Sequence, residues 1–156
     1  MSQVIAYTDG GASGNPGPGG YGVVLMWKEH KRELSEAFRL TTNNRMELLA
    51  VIKVLESLTR APMEVVIYSD SKYVVDAVSK GWVFNWEKKG YKDKKNPDLW
   101  QRFLRAYRQH RVRFVWVRGH NGDPLNERAD ELAVGAYKKG PLLIDEGYER
   151  QEAGLL

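Results

Sequence analysis

Cysteine is absent from this 156-residue chain, which excludes a disulfide framework, a Cys-ligated zinc module and a thiol nucleophile. Histidine is scarce. His30, His110 and His120 show no zinc-like spacing, and no HExxH occurs. No apolar run approaches the roughly 20 residues of a membrane-spanning helix, and residues Met1 to Asp9 lack the basic flank and cleavable apolar stretch of a signal peptide. A cytoplasmic location with no membrane partner is the expectation. There is no GxxxxGK(S/T) and no GxSxG, so neither a phosphate-cradling loop nor a nucleophile elbow is signalled. Gly17 to Gly22 formally fits GxGxxG, but a helix should follow it and Val23 to Trp27 reads as strand. No dinucleotide site, and no organic cofactor, is expected.

What the chain does have is a 42% hydrophobic content, enough to bury a core as one domain. Its net charge of +4 hides a lopsided distribution. Lys72 to Arg118 holds 13 Lys and Arg against 4 Asp and Glu, so the rest of the chain is net acidic. Such a block suits a polyanion surface, because clustered cations neutralise phosphates and release counterions. A solvated helix face is the equal alternative on composition alone.

Residues 3 to 8 read as a buried strand running into Asp9 and stopped by Gly10-Gly11, followed by a Gly/Pro-dense loop. Strands over 21 to 28 and 33 to 40, joined by a polar turn at 29 to 32, predict an antiparallel hairpin. Helical spacing runs from Arg45 to Leu58, and Pro62 ends that unit. Glu64 to Ser69 is a continuous apolar strand that meets Asp70 and then a helical stretch through Val78. Residues 82 to 96 are basic and aromatic, 98 to 110 form an amphipathic helix, and 112 to 117 a strand. The last clear helix begins near Asp123-Pro124 and runs to about Tyr137. The tail from Lys139 to Leu156 is half polar, has no strong period and is expected as a flexible end. Alternating strands and helices point to an α/β fold with a partly parallel sheet.

Two apolar strands end in aspartate, and ligands of open α/β sheets gather at strand carboxyl ends. Asp9 and Asp70 are therefore candidates for one site. The alternatives are a turn aspartate at Asp9 and a helix N-cap at Asp70. Glu47 opens the stripe of Val51, Val54 and Leu58, where a carboxylate needs a partner. It could instead reach back in a capping box with Asn44. Asp130 borders the face of Ala133, Val134 and Tyr137, or is an ordinary surface acid. Four semi-buried carboxylates become tolerable together around a hard cation, and oxygen ligands suit Mg²⁺ or Mn²⁺. Paired Mg²⁺ ions are a recurring device for in-line displacement at phosphorus.

Four ordered motifs, Thr8 to Gly22 (TDGGASGNPGPGGYG), Thr41 to Leu48 (TTNNRMEL), Ser69 to Val74 (SDSKYV) and Gly119 to Asp130 (GHNGDPLNERAD), resemble type 1 ribonuclease H in its bacterial ribonuclease HI form. The resemblance covers about residues 3 to 138, leaving 139 to 156 as a tail of a single ribonuclease H domain spanning 1 to 156. It implies a five-stranded mixed sheet flanked by helices, with a basic helical protrusion. It also implies endonucleolytic hydrolysis of the RNA strand of RNA/DNA hybrids, leaving 5′-phosphate and 3′-hydroxyl ends, by a monomer. Asp9, Glu47, Asp70 and Asp130 match the family's metal-binding carboxylates. On that resemblance Asp9 bridges two Mg²⁺ in the presence of substrate, Asp130 shares the ion that activates water, and Glu47 and Asp70 hold the ion at the leaving 3′ oxygen.

His120, in a glycine-flanked loop, matches a position that assists proton transfer or product release, for which imidazole has a suitable pKa. A lone loop histidine is otherwise simply exposed. Asn15, Asn43 and Asn44 follow polar residues that line the minor groove, while turn and cap chemistry is their other use. Trp82 to Lys95 resembles the protrusion that grips the DNA strand, with Trp82, Trp86, Lys88 and Lys89 as contacts and at least one tryptophan left for packing. Thr42 and Asn85 match positions that hold a DNA phosphate. Lys72, another expected contact, stands where the family commonly has Gln, and Ala12 where it often has Cys or Ser. A catalytically silent hybrid-binding or double-stranded RNA-binding module is the rival reading, which a missing carboxylate would have favoured. A junction resolvase or integrase core is opposed by the protrusion and by Thr41 to Asn44.

Overall fold

A computed structural model describes residues 3–119 and 122–154. A six-stranded mixed sheet has the order β5-β4-β1-β2-β3-β6. The central strand β1 (Gln3–Ala12) pairs antiparallel with β2 (Gly17–Trp27) and parallel with β4 (Glu64–Ser69). The hairpin partner β3 (His30–Thr41) follows β2, and β5 (Arg111–Trp116) lies parallel to β4.

Both β1 and β2 extend into the glycine-rich stretch that the sequence suggests is turn and loop. Asp9, Gly10 and Gly11 pair with Gly22, Tyr21 and Gly20, so the glycines sit inside a ladder. They are there because two helices lie almost on the sheet. A Cβ at Gly10 would strike the main chain of Met46 and Glu47, and one at Gly20 or Gly22 would strike the backbone at Ala129 or Ala133. Glycine weakens a strand in isolation, but close backbone approach is the circumstance that demands it.

The helices in question are α1 (Asn43–Glu56) and α5 (Pro124–Lys139), which cover opposite faces of the sheet. α1 is buried nearly all round, from Met46 through Leu55, because it is sandwiched between β1 and α4 (Pro97–Tyr107). The cap of α1 is Thr42, whose hydroxyl accepts from the Arg45 N–H at 3.2 Å, rather than Asn44. Likewise α2 (Lys72–Ser79) is capped by Ser71 and not by Asp70. Asp123 caps α5, as its place before Pro124 predicts. The short helix α3 (Trp82–Lys88) carries the basic, aromatic segment.

The tail departs from its featureless pattern. Leu142–Leu143 forms β6 parallel to β3, the sixth strand beyond the five expected, and Glu146–Glu152 forms α6. What ties it down is Arg45, 1% exposed, whose guanidinium donates to Asp145 at 2.8 and 2.9 Å and to Asp98 at 2.7 and 2.9 Å. Thr41 donates a further bond to Asp145 at 2.7 Å, and Asp145 in turn caps α6 through the Tyr148 N–H. One buried cation thus joins α1, the start of α4 and the C-terminal segment. Removing one partner of a buried ion pair strands the other charge away from water. Asp145→Ala is accordingly expected to cost about 3 kcal/mol in urea unfolding and to speed amide exchange over 142–152. A loss below about 1 kcal/mol would show that Asp98 alone satisfies Arg45.

A candidate metal and nucleic-acid site

Asp9 is delivered by the end of β1 and Asp70 by the residue after β4, two parallel neighbours in the sheet. Glu47 comes from the second turn of α1, held against Asp9 by the close seating of that helix on Gly10. Each of the three offers an oxygen, and these oxygens all lie within 4.8 Å of one another. Asp130 arrives from α5 on the other face, near enough to raise the Asp9 pKa, without joining the mutually close three. Three of the four carboxylates singled out by the sequence are therefore gathered around Asp9, with Asp130 as its neighbour from α5.

The surroundings are costly for negative charge. Asp9 is 8% exposed, and its Oδ1 accepts from the Gly10 N–H at 2.9 Å. Burial, the Asp70 charge and the hydrogen bond with Asp130 push Asp9 up to about 8. Burial, followed by the charges of Asp9 and Asp70, drives Glu47 well above the usual carboxylate range, with only a Gly10 N–H working the other way. Glu47 Oε1 is buried with no hydrogen-bond partner. A buried, unpartnered carboxylate oxygen beside two further carboxylates fits a hard divalent cation as the missing partner. Asp9, Glu47, Asp70 and Asp130 are the residues that could hold it.

The glycine loop and the start of α1 are laced together by amides. Asn43 Oδ1 accepts from the Ala12 N–H at 2.6 Å, and Asn15 Oδ1 from the Asn43 N–H at 3.0 Å. Both side chains are exposed, as is Asn44, so turn chemistry and an outward amide face coexist. Thr42 is half-buried with its hydroxyl engaged in the cap.

In α3, Trp82 is 46% exposed while Trp86 packs edge-on against the fully buried Trp100 at 5.6 Å. Trp86 is thus the tryptophan that anchors α3 to the core. Trp82, Asn85, Trp86 and Lys89 line a surface hollow of about 490 Å³ with Lys92 and Lys94, and Lys88 stands exposed beside it. Lys72 is exposed near Asp70, and His120 lies outside the described residues.

Sequence reasoning overlooked Trp116 and the Arg45 cluster. Trp116 gives no signal, since a tryptophan closing an apolar strand looks like core. Arg45 did give one: a cation on the Leu48, Leu49 and Ile52 side of a buried helix needs carboxylate partners.

The ribonuclease H family model matches residues 1–138. A ribonuclease H of Syntrophus aciditrophicus is 53% identical over 153 residues, covering 95% of this chain and 88% of that protein. A ribonuclease HI of Synechocystis is 48% identical over 153 residues, covering 94% and 95%. Among solved structures, LC9-RNase H1, a type 1 RNase H with the type 2 active-site motif, superposes with a TM-score of 0.82 at 35% identity, covering 98% of this chain and 82% of its own. LC11-RNase H1, crystallised in complex with an RNA/DNA hybrid, gives 0.67 at 32% identity, covering 87% and 97%.

The carboxylate cluster makes its own prediction. In metal-free buffer the folded-state pKa of Asp9 lies above its unfolded value, so the native protein holds the proton more tightly. The contribution of Asp9 to stability then falls as pH rises from about 4 towards 8, the opposite of a salt-bridged aspartate. Thermal melts in EDTA should show that decline, Asp9→Asn should flatten it, and Mg²⁺ should raise the wild-type melting temperature most at the upper end. Identical pH profiles for wild type and Asp9→Asn would remove the electrostatic account of the site.

Proposed function

The chain belongs to the ribonuclease H family, and from that premise we propose that it hydrolyses the RNA strand of RNA/DNA hybrids with two divalent cations held by Asp9, Glu47, Asp70 and Asp130, leaving 5′-phosphate and 3′-hydroxyl ends. The observation that carries the reading is the convergence of three carboxylates within 4.8 Å around a buried, unpartnered Glu47 oxygen. Acids from separate elements are not crowded this way for packing, because each raises the cost of ionising the others. Magnesium is the expected ion and manganese the substitute. When bound, such cations supply Lewis-acid stabilisation of charge at phosphorus and make water more acidic.

The chain's own part is placement and charge. Asp9 lies on β1, and Asp70 directly follows β4, the parallel neighbour of β1. Glu47 and Asp130 close the site from the two helical faces. Without a cation the carboxylates repel the scissile phosphodiester, so metal occupancy strengthens an engagement that the lysines and amides can begin without it. Asn15, Asn43 and Asn44 present amides that suit 2′-hydroxyls and base edges in a minor groove. Thr42, Asn85, Trp82, Lys88 and Lys89 serve the DNA strand, the lysines meeting phosphates and Trp82 a flat sugar or base face. Trp86 supports that surface from the core. His120 is assigned proton transfer or product release on the family resemblance alone. Among the described residues no helix is long and apolar enough to cross a membrane.

The direct test is a labelled RNA/DNA hybrid beside RNA/RNA and DNA/DNA duplexes, with Mg²⁺ and with EDTA. Metal-dependent cutting of the hybrid's RNA strand alone is expected. Asp9→Asn should reduce that cleavage by at least about a thousandfold while the variant stays folded and still binds hybrid. Tight binding without cutting in any metal would instead identify a silent binding module. Replacing both Lys88 and Lys89 by Ala should weaken binding and lower the slope of log affinity against log salt by about 0.9 for each phosphate no longer neutralised. An unchanged slope would show those lysines to be merely solvated.

A further inference from the structure

Trp116 is a second large aromatic left standing in solvent, 44% exposed, and it lies far in sequence from the α3 protrusion. It closes β5, where it is paired with Ser69, the residue immediately before Asp70. Its indole N–H donates to the Asp70 main-chain carbonyl at 3.3 Å. The next residues add to the same attachment: the Val117 N–H donates to Ser69 O at 2.9 Å, and Gly119 passes so near that a Cβ there would lie 2.9 Å from Asp70 Oδ2. The ring is therefore held in fixed relation to a carboxylate of the site.

Packing does not account for this ring. On the same side of β5, Val112 and Phe114 already meet the core, and Trp116 continues their row past its edge. Over the ring, 4.9 Å from its centroid, stands the ammonium of Lys72, from the first turn of α2. A flat apolar surface and a mobile cation at the rim of an anionic site offer the two contacts that one nucleotide needs. The face takes a sugar or base, and the ammonium takes a phosphate.

We propose that Trp116 and Lys72 form a platform that positions the RNA strand beside the bond to be cut, with the indole against a ribose or base and Lys72 on a neighbouring phosphate. This rests on the hybrid-cleaving reading above. The strand is the RNA because the platform is attached to Asp70, where the RNA phosphate must come. Successive nucleotides of one strand are spaced by only about 3.4 Å along the helix axis, so a residue one or two steps away reaches the ring. In the free protein the cation rests on the ring. It leaves for phosphate when substrate arrives, exposing the face it covered.

The test is steady-state kinetics on a short hybrid for wild type, Trp116→Ala, Trp116→Phe and Lys72→Ala, with a thermal melt of each. Trp116→Ala should raise KM about tenfold, the size of one base-stacking interaction, and Trp116→Phe should recover most of it. Because the stacking is present before and during the reaction alike, kcat should stay within about twofold. Lys72→Ala should raise KM and lower the salt slope by about one phosphate. Hybrid added in EDTA should quench wild-type tryptophan fluorescence more than that of Trp116→Phe. If Trp116→Ala loses thermal stability while KM and quenching match wild type, the pair is an internal contact and the inference fails. A wild-type protein that neither binds nor cuts hybrid would overturn the functional reading itself, whereas an active enzyme indifferent to Trp116 overturns only the platform.

Discussion

A side chain at position 10 would collide with the main chain of α1, and most of the site follows from the absence of one. Because Gly10 lets the helix rest on the strand, Glu47 is set down beside Asp9 rather than a side chain's width away. Gly20 and Gly22 do the same for α5 on the opposite face, which lets Asp130 approach Asp9 from below. The sheet between them brings in Asp9 and Asp70, each one residue past Thr8 and Ser69, the last pair of the parallel β1–β4 ladder. Backbone contact, more than side-chain packing, sets the geometry of the carboxylates.

Charge is handled in two contrasting ways only two residues apart on α1. Arg45 is buried with every direction of its guanidinium answered by Asp98, Asp145 or Asn96. Glu47 is half-buried among like charges with one buried oxygen unanswered. The first arrangement holds the helix, the start of α4 and the C-terminal segment in one unit. The second is unfavourable unless cations enter, and the rigidity around Arg45 keeps α1 from rotating Glu47 away. Local electrostatic strain is retained at a functional site because the surrounding packing over-determines it.

The α3 surface and the end of β5 are built alike. In the first, Trp86 roots α3 in the core so that Trp82 and the lysines can stand out. In the second, Val112 and Phe114 root β5 so that Trp116 can project under Lys72. Each pairs a half-buried aromatic or aliphatic anchor packed on the core with an exposed ring near lysine, a combination suited to sugar faces and phosphates together.

Much of this was legible in the residues alone. Apolar runs ending in Asp9 and Asp70, helical spacing behind Glu47 and Asp130, and Asp123-Pro124 as a helix start depend on local periodicity and capping, which neighbouring residues settle among themselves. The basic block was visible because charge is a sum over composition. Local pattern misread the glycines as loop, since nothing nearby in sequence announces a helix lying across them. It also took the tail for a loose end, because the partner of Asp145 is Arg45, 100 positions earlier. Capping could equally have claimed Asn44 or Asp70, and only the folded backbone gave those roles to Thr42 and Ser71. The identity of the acids was thus a property of the sequence, whereas their convergence, the anchoring of Trp86 and the exposure of Trp116 were decided by contacts between distant segments that no local pattern encodes.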